Sequence, residues 1–126
     1  MDVERLRAIP VFASLDHETL HAVAVFAGES SVPDGSQIVS EGDYAHQFMA
    51  IEEGTADVIR GDEKIATLGP GDFFGEIGVM QNEMRAATVV AKTPMRLITL
   101  THWELKRMRD MPGVMEAIQR TAEARR

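Results

Sequence analysis

The apolar positions of this chain change their period twice. Near the start they recur at helical spacing: Leu15, Leu20, Val23, Ala24 and Ala27 fall on one side at intervals of three and four, which predicts a helix over 16–27. Asp16 stands where its carboxylate can accept from the open N–H groups of the first turn. A shorter helix is predicted over 2–8, stopped by Pro10.

From Pro33 onward the texture differs. Turn signals recur at Pro33-Asp34-Gly35, Glu41-Gly42-Asp43, Glu53-Gly54, Gly61-Asp62 and Gly69-Pro70-Gly71-Asp72. Glycine supplies the positive φ that side chains resist at tight turns. The short runs between them predict strands over 37–40, 47–52, 55–60, 64–68, 85–91 and 95–100, with Ala56 and Val58 facing one way. That rhythm predicts an antiparallel sandwich or barrel. After Leu100 helical spacing returns. Thr101 and Glu104 form a capping box for a helix to about residue 109. Pro112 suits the first turn of a last helix, with Val114, Met115, Ile118 and Ala122 as its apolar stripe. Helices at both ends and strands between them predict an α+β or mainly β fold with flanking helices. No repeat or low-complexity segment interrupts it.

Composition narrows the picture. The chain has 126 residues, 44% of them hydrophobic, which suits one domain with a real core. The net charge of −7 argues against a nucleic-acid surface, which needs a basic patch, but it leaves room for a small anion held by one arginine and a few backbone N–H groups. With no cysteine, disulfides, thiolate nucleophiles and cysteine-ligated metals are excluded. No apolar run approaches the ~20 residues needed to span a bilayer, and the charged start MDVERLRAIP lacks a signal-peptide core. A cytoplasmic location, with no membrane segment in this chain, is the expectation.

Several motifs suggest chemistry and most fall away. His17-Glu18-Thr19-Leu20-His21 matches H-E-x-x-H, in which two histidines on one helix face hold zinc. No ligand helix follows it, and His46 and His102 stand in no ligand-like pattern, so no metal site is expected. Gly69 to Gly75 superficially suggests a dinucleotide loop, but the spacing is wrong and no βαβ unit surrounds it. No catalytic residues are assigned, and a cupin-like enzyme would need clustered histidine and carboxylate ligands that the strands lack.

The run from Gly71 to Val89 is different. Gly75 lets a backbone approach closely, and residues 75–80 suit a short helix whose first N–H groups favour an anion. Arg85 can meet the same anion with a bidentate fork. Glu76 repels a phosphate but accepts from a hydroxyl. Gly75, Glu76 and Arg85 thus suit a ligand carrying one phosphate beside one sugar hydroxyl; a surface ion pair between Glu76 and Arg85 beside a tight turn is the other reading.

Phe74-Gly75-Glu76-Ile77-Gly78-Val79, a gap, then Arg85-Ala86-Ala87-Thr88-Val89 closely resembles the phosphate-binding cassette of the cyclic-nucleotide-binding domain family. The turn glycines Gly35, Gly42, Gly54 and Gly71 and the opening Ile9-Pro10-Val11-Phe12 extend the resemblance over nearly the whole chain. Related domains occur in prokaryotic cyclic-nucleotide-regulated potassium channels, cAMP-dependent protein kinase regulatory subunits and catabolite activator protein. The resemblance implies a mainly β fold, an eight-stranded jelly-roll-like β-roll with N-terminal helices, a short cassette helix and C-terminal helices. The implied division is helices over 1–28, the roll over 29–100 with the cassette at 74–88, and helices over 101–126.

The family's roles transfer as implications. Arg85 would pair with the cyclic phosphate, and Glu76 would accept from the ribose 2′-hydroxyl. Backbone N–H groups of Gly75, Ile77, Gly78 and Ala87 would complete the contacts. Val58 would touch the purine, or serve plain core packing. Ala86 offers guanine no hydroxyl, which favours cyclic AMP over cyclic GMP. Arg125 would cover the base from the last helix, or only complement that helix's dipole. Phe73, Phe74 and Ile77 would pack on the C-terminal helices and report movement. The implied function is a regulatory sensor, not an enzyme, with cyclic AMP as its ligand, no further cofactor and an unidentified effector. The alternative is the ligand-binding half of a regulator like catabolite activator protein, whose DNA-binding domain is absent from this chain.

Overall fold

The computed structural model describes residues 1–40, 42, 47–74, 87–101, 113 and 116. Three helices open the chain: α1 (Val3–Arg7), α2 (Pro10–Ala13) and α3 (His17–Phe26). Asp16 caps α3 as predicted, its Oδ1 accepting from the Thr19 N–H at 2.7 Å. That bond holds the Asp16 carboxyl below its usual range. Pro10 does more than stop the first helix. It occupies the first turn of α2, where its fixed φ suits a helix start and its missing N–H is not needed.

Among the described residues eight strands follow: β1 (Gly28–Val32), β2 (Gln37–Val39), β3 (Gln47–Glu53), β4 (Ala56–Arg60), β5 (Glu63–Leu68), β6 (Phe73–Phe74), β7 (Thr88–Ala91) and β8 (Met95–Thr101). They form two antiparallel four-stranded sheets in the orders β1-β8-β3-β6 and β2-β7-β4-β5. This is the mainly β roll that the resemblance implied. Two strands went unpredicted. β1 is polar, GESSV, because it is an edge strand paired on one side with β8. β6 is only two residues long.

The alternation in β3 explains the layering. Phe48 and Ala50 join a cluster with Phe73, Ile98, Leu100 and the helix residues Leu6, Ile9, Phe12, Leu15, Leu20 and Val23. Met49 and Ile51 point the other way, into a cluster with Ala56, Phe74, Val89, Ala91, Met95 and Leu97. The first sheet is therefore apolar on both faces, one under the N-terminal helices and one against the second sheet. At the rim of the helical layer Arg5 forks onto Glu52, donating from Nε at 2.9 Å and Nη2 at 2.7 Å. Its Nη2 also meets Glu29, which Arg96 approaches at 3.8 Å.

The turn before β6 is tied down at several points. Gly71, at φ 92, donates to the Ile51 carbonyl, and the Ile51 N–H donates to the Asp72 carbonyl. Asp72 Oδ2 accepts from the Gly69 N–H at 2.8 Å. A side chain at Gly71 would press on the Pro10 ring, at 3.1 Å from Cγ, so this turn abuts α2.

Candidate ligand site

β6 ends at Phe74 in the first sheet, and β7 begins at Thr88 in the second. Residues 75–86 therefore carry the chain from one sheet to the other. This is the segment to which the sequence assigned Gly75, Glu76, Ile77, Gly78, Arg85 and Ala86; those six and Arg125 lie outside the described residues. What the structure fixes is the frame on either side.

The two residues leading into the segment face opposite layers. Phe73 pairs with Ala50 and is fully buried, its ring 5.2 Å from that of Phe48 within the helix-side cluster. Phe74 pairs with Met49 and lies between the sheets. The sequence reading set both against the C-terminal helices. Apart from Glu116, those helices lie outside the described residues; among the described ones Phe73 joins the helix-side cluster of the N-terminal layer and Phe74 the inter-sheet cluster, because adjacent strand residues point to opposite faces. The C-terminal segment reaches that N-terminal layer at Gly113, whose position lies against Leu15. Gly113 has φ 81, which is not helical. Glu116 is helical; the rest of the helix predicted to open at Pro112 lies outside the described residues.

On the far side, Ala87 is half-buried immediately before β7. In β4, Val58 stands opposite Val89 of β7 and Ala66 of β5, half-buried and packed on the inter-sheet cluster. It thus lines the inner wall of the roll, where both of its readings, purine contact and core packing, place it.

Two further residues at this mouth carried no signal in the sequence. Arg60 ends β4 and Glu63 opens β5; they are direct cross-strand partners around the Gly61-Asp62 turn, and both are exposed. Only the register reveals them. The β4–β7 register runs Ala56↔Ala91, Val58↔Val89, Ile59↔Thr88, so Arg60 follows the residue opposite the first position of β7.

The H-E-x-x-H histidines lie on the solvent side of α3, both exposed, with ring centroids 5.3 Å apart. Arg7 Nη2 donates to His17 Nδ1 at 3.2 Å. Among the described residues no group of three or more histidine, aspartate or glutamate side chains is placed to hold a metal, and no helix is long and apolar enough to cross a membrane.

Comparison with known proteins agrees with this frame. The sequence profile of the cyclic nucleotide-binding domain matches residues 29–111, from β1 into the C-terminal segment. The chain is similar to the cAMP-dependent protein kinase regulatory subunit of Yarrowia lipolytica, with 36% identity over 98 residues, covering 78% of this chain and 25% of that protein. The chain spans about a quarter of the length of the curated relatives it matches. Among solved structures, a protein from Geobacter metallireducens described as cyclic nucleotide-binding superposes with a TM-score of 0.86 at 26% identity, covering 99% of this chain and 98% of that one. The regulatory subunit of a cAMP-independent protein kinase A from Trypanosoma brucei superposes with a TM-score of 0.85 at 27% identity, covering 96% of this chain and 44% of that one. With its two four-stranded sheets, its N-terminal helical layer and a profile match across the roll and the cassette, the chain belongs to the cyclic nucleotide-binding domain family.

Proposed function

We propose that this chain is a regulatory module that binds cyclic AMP in preference to cyclic GMP and passes the event to an effector through its C-terminal helices. The observation that carries the reading is the ordered run Phe74 to Val79 followed by Arg85 to Val89, set in the segment that crosses between the sheets. The fold alone would not decide the ligand, since one structural neighbour belongs to a cAMP-independent kinase. The residues do. Arg85 neutralises the cyclic phosphate by a bidentate contact, and Glu76 accepts from the ribose 2′-hydroxyl. Backbone N–H groups of Gly75, Ile77, Gly78 and Ala87 complete the cradle. Val58 supplies an apolar wall for the purine, and Ala86 gives guanine no hydroxyl.

The module works by binding rather than catalysis. A ligand shifts a population only by its differential affinity for two states. Here the second state is the last helix closed over the base, with Arg125 as its contact. The protein acts in the cytoplasm, and its effector is a kinase, a channel or another partner of the kind that regulatory subunits control. The ligand-binding half of a regulator like catabolite activator protein remains the second reading.

The test is titration calorimetry with cyclic AMP on the parent chain and on Arg85→Ala. The variant should lose about a hundredfold in affinity, about 2–3 kcal/mol, while keeping its fold. Unchanged affinity in a folded variant would remove Arg85 from the phosphate site, and no binding by the parent would overturn the reading.

A further inference from the structure

We infer that the tip of the β4–β5 hairpin reads the purine: Arg60 and Glu63 form a donor–acceptor pair that selects adenine. This rests on the cyclic-nucleotide reading above and adds a base-recognition element on a different part of the fold.

Register and parity place the pair. Ala56 and Val58 face the inter-sheet core, so strand alternation gives Arg60 the same face at the mouth of the roll. The intervening Asp57 faces outward, where it meets Lys64 at 3.4 Å and Lys92 at 3.8 Å. The register shift between Val58 and Ile59 sets Lys64 opposite Ile59 on the outer face, which returns Glu63, opposite Arg60, to the inner one. Arg60 also follows Ile59, the residue opposite Thr88 at the end of the cassette, and lies about 7 Å along the strand from Val58. A guanidinium on a long side chain spans that interval.

Both groups are uncommitted. Arg5, Arg7, Lys64, Lys92 and Arg96 each have a carboxylate partner. Among the described residues the side chains of Arg60 and Glu63 have no ion pair or hydrogen bond, even with each other, although the two residues are direct cross-strand partners in the ladder. An exposed arginine and glutamate left unpaired at this spacing form a two-pronged edge, one prong donating and the other accepting.

The chemistry of that edge matches adenine. Adenine offers a ring-nitrogen acceptor beside the N6 amino donor, so Arg60 donates to the ring nitrogen and Glu63 accepts from the amine. Guanine offers two adjacent acceptors, N7 and O6, so it keeps the Arg60 contact while its O6 faces the Glu63 carboxylate. Glu63 therefore adds a discrimination between the bases to that of Ala86, and Arg60 serves both.

The experiment measures the affinities of cyclic AMP and cyclic GMP for the parent, Glu63→Ala and Glu63→Lys by calorimetry, with melting curves confirming the fold. Glu63→Ala should lower cyclic AMP affinity about tenfold and leave cyclic GMP unweakened, so that the preference narrows. Glu63→Lys should reverse it. A ratio unchanged from the parent in both variants overturns this inference while leaving the proposed function intact. A parent that binds neither nucleotide overturns both.

Discussion

Replacing Gly54 by alanine probes the tightest crossing in the roll. Gly54 follows β3 at φ 93, and a Cβ there would lie 2.5 Å from the Pro94 carbonyl oxygen and 2.7 Å from Met95 Cγ. Holding alanine in the left-handed region costs about 1–2 kcal/mol. The narrower unfolded ensemble of alanine offsets up to about 1 kcal/mol of that. The contact adds more. The Pro94 oxygen is backbone, anchored where β8 pairs with both β1 and β3, so it cannot step aside as a flexible side chain would. Overpacking of this kind costs about 1–3 kcal/mol. The expected loss is about 2–4 kcal/mol, or a fall of about 10 °C in melting temperature for a domain of this size. Gly35 is the control: it sits at φ 83 with nothing within 4 Å, so Gly35→Ala carries only the backbone part. Urea denaturation of both variants should show a lower midpoint for Gly54→Ala at an unchanged slope. Gly54 lies at the end of β3 away from its pairing with β6, so cyclic AMP affinity should stay at the parent value. If Gly54→Ala proved no more damaging than Gly35→Ala, the backbone contact argued here would be refuted.

Other outcomes follow from the same geometry. The Arg5 fork holds the Glu52 carboxyl below its usual range, so its stabilisation is complete above the pKa of the unfolded chain and disappears as pH falls through the lower, folded value. Glu52→Gln should therefore melt a few degrees below the parent at pH 7, with the gap closing below about pH 4, as calorimetric melts across pH will show. Hydrogen exchange across residues 114–126 should slow under saturating cyclic AMP if, as proposed, Arg125 covers the base from the last helix. Equal protection with and without ligand would show that this helix is not the lid.

Much of the fold was legible because periodicity reports burial. α3 could be read from Leu20, Val23 and Ala24, which the structure buries, and its start from Asp16, which caps it. The turn glycines could be read because Gly35, Gly42, Gly54, Gly61 and Gly71 all adopt positive φ. β1 could not, since an edge strand with exposed Ser30 and Ser31 has no apolar face to reveal it. α2 could not, because Pro10 signals a stop and a start equally well. The position of Gly113 was missed for a related reason: a glycine next to a proline fits a helix start or a left-handed turn, and packing against Leu15 accompanies the second.

The site divides along a different line. Its proposed chemistry rests on an ordered motif in the sequence, whereas the frame around it was not legible, because pairing between distant strands leaves no local trace. Val58 could be named from alternation; its neighbours Val89 and Ala66 could not. Arg60 and Glu63 look like two more surface charges until the register sets them opposite each other, one step beyond the Ile59–Thr88 pair. Phe73 and Phe74 show how much that matters. As a dipeptide they are two apolar residues with one apparent role. In the sheet they point into different layers, Phe73 to the rings of the helix-side cluster and Phe74 to the core between sheets. Close-packed layers yield as units rather than by gradual deformation. Both layers are thus keyed to the backbone of one strand of two residues, Phe73 and Phe74.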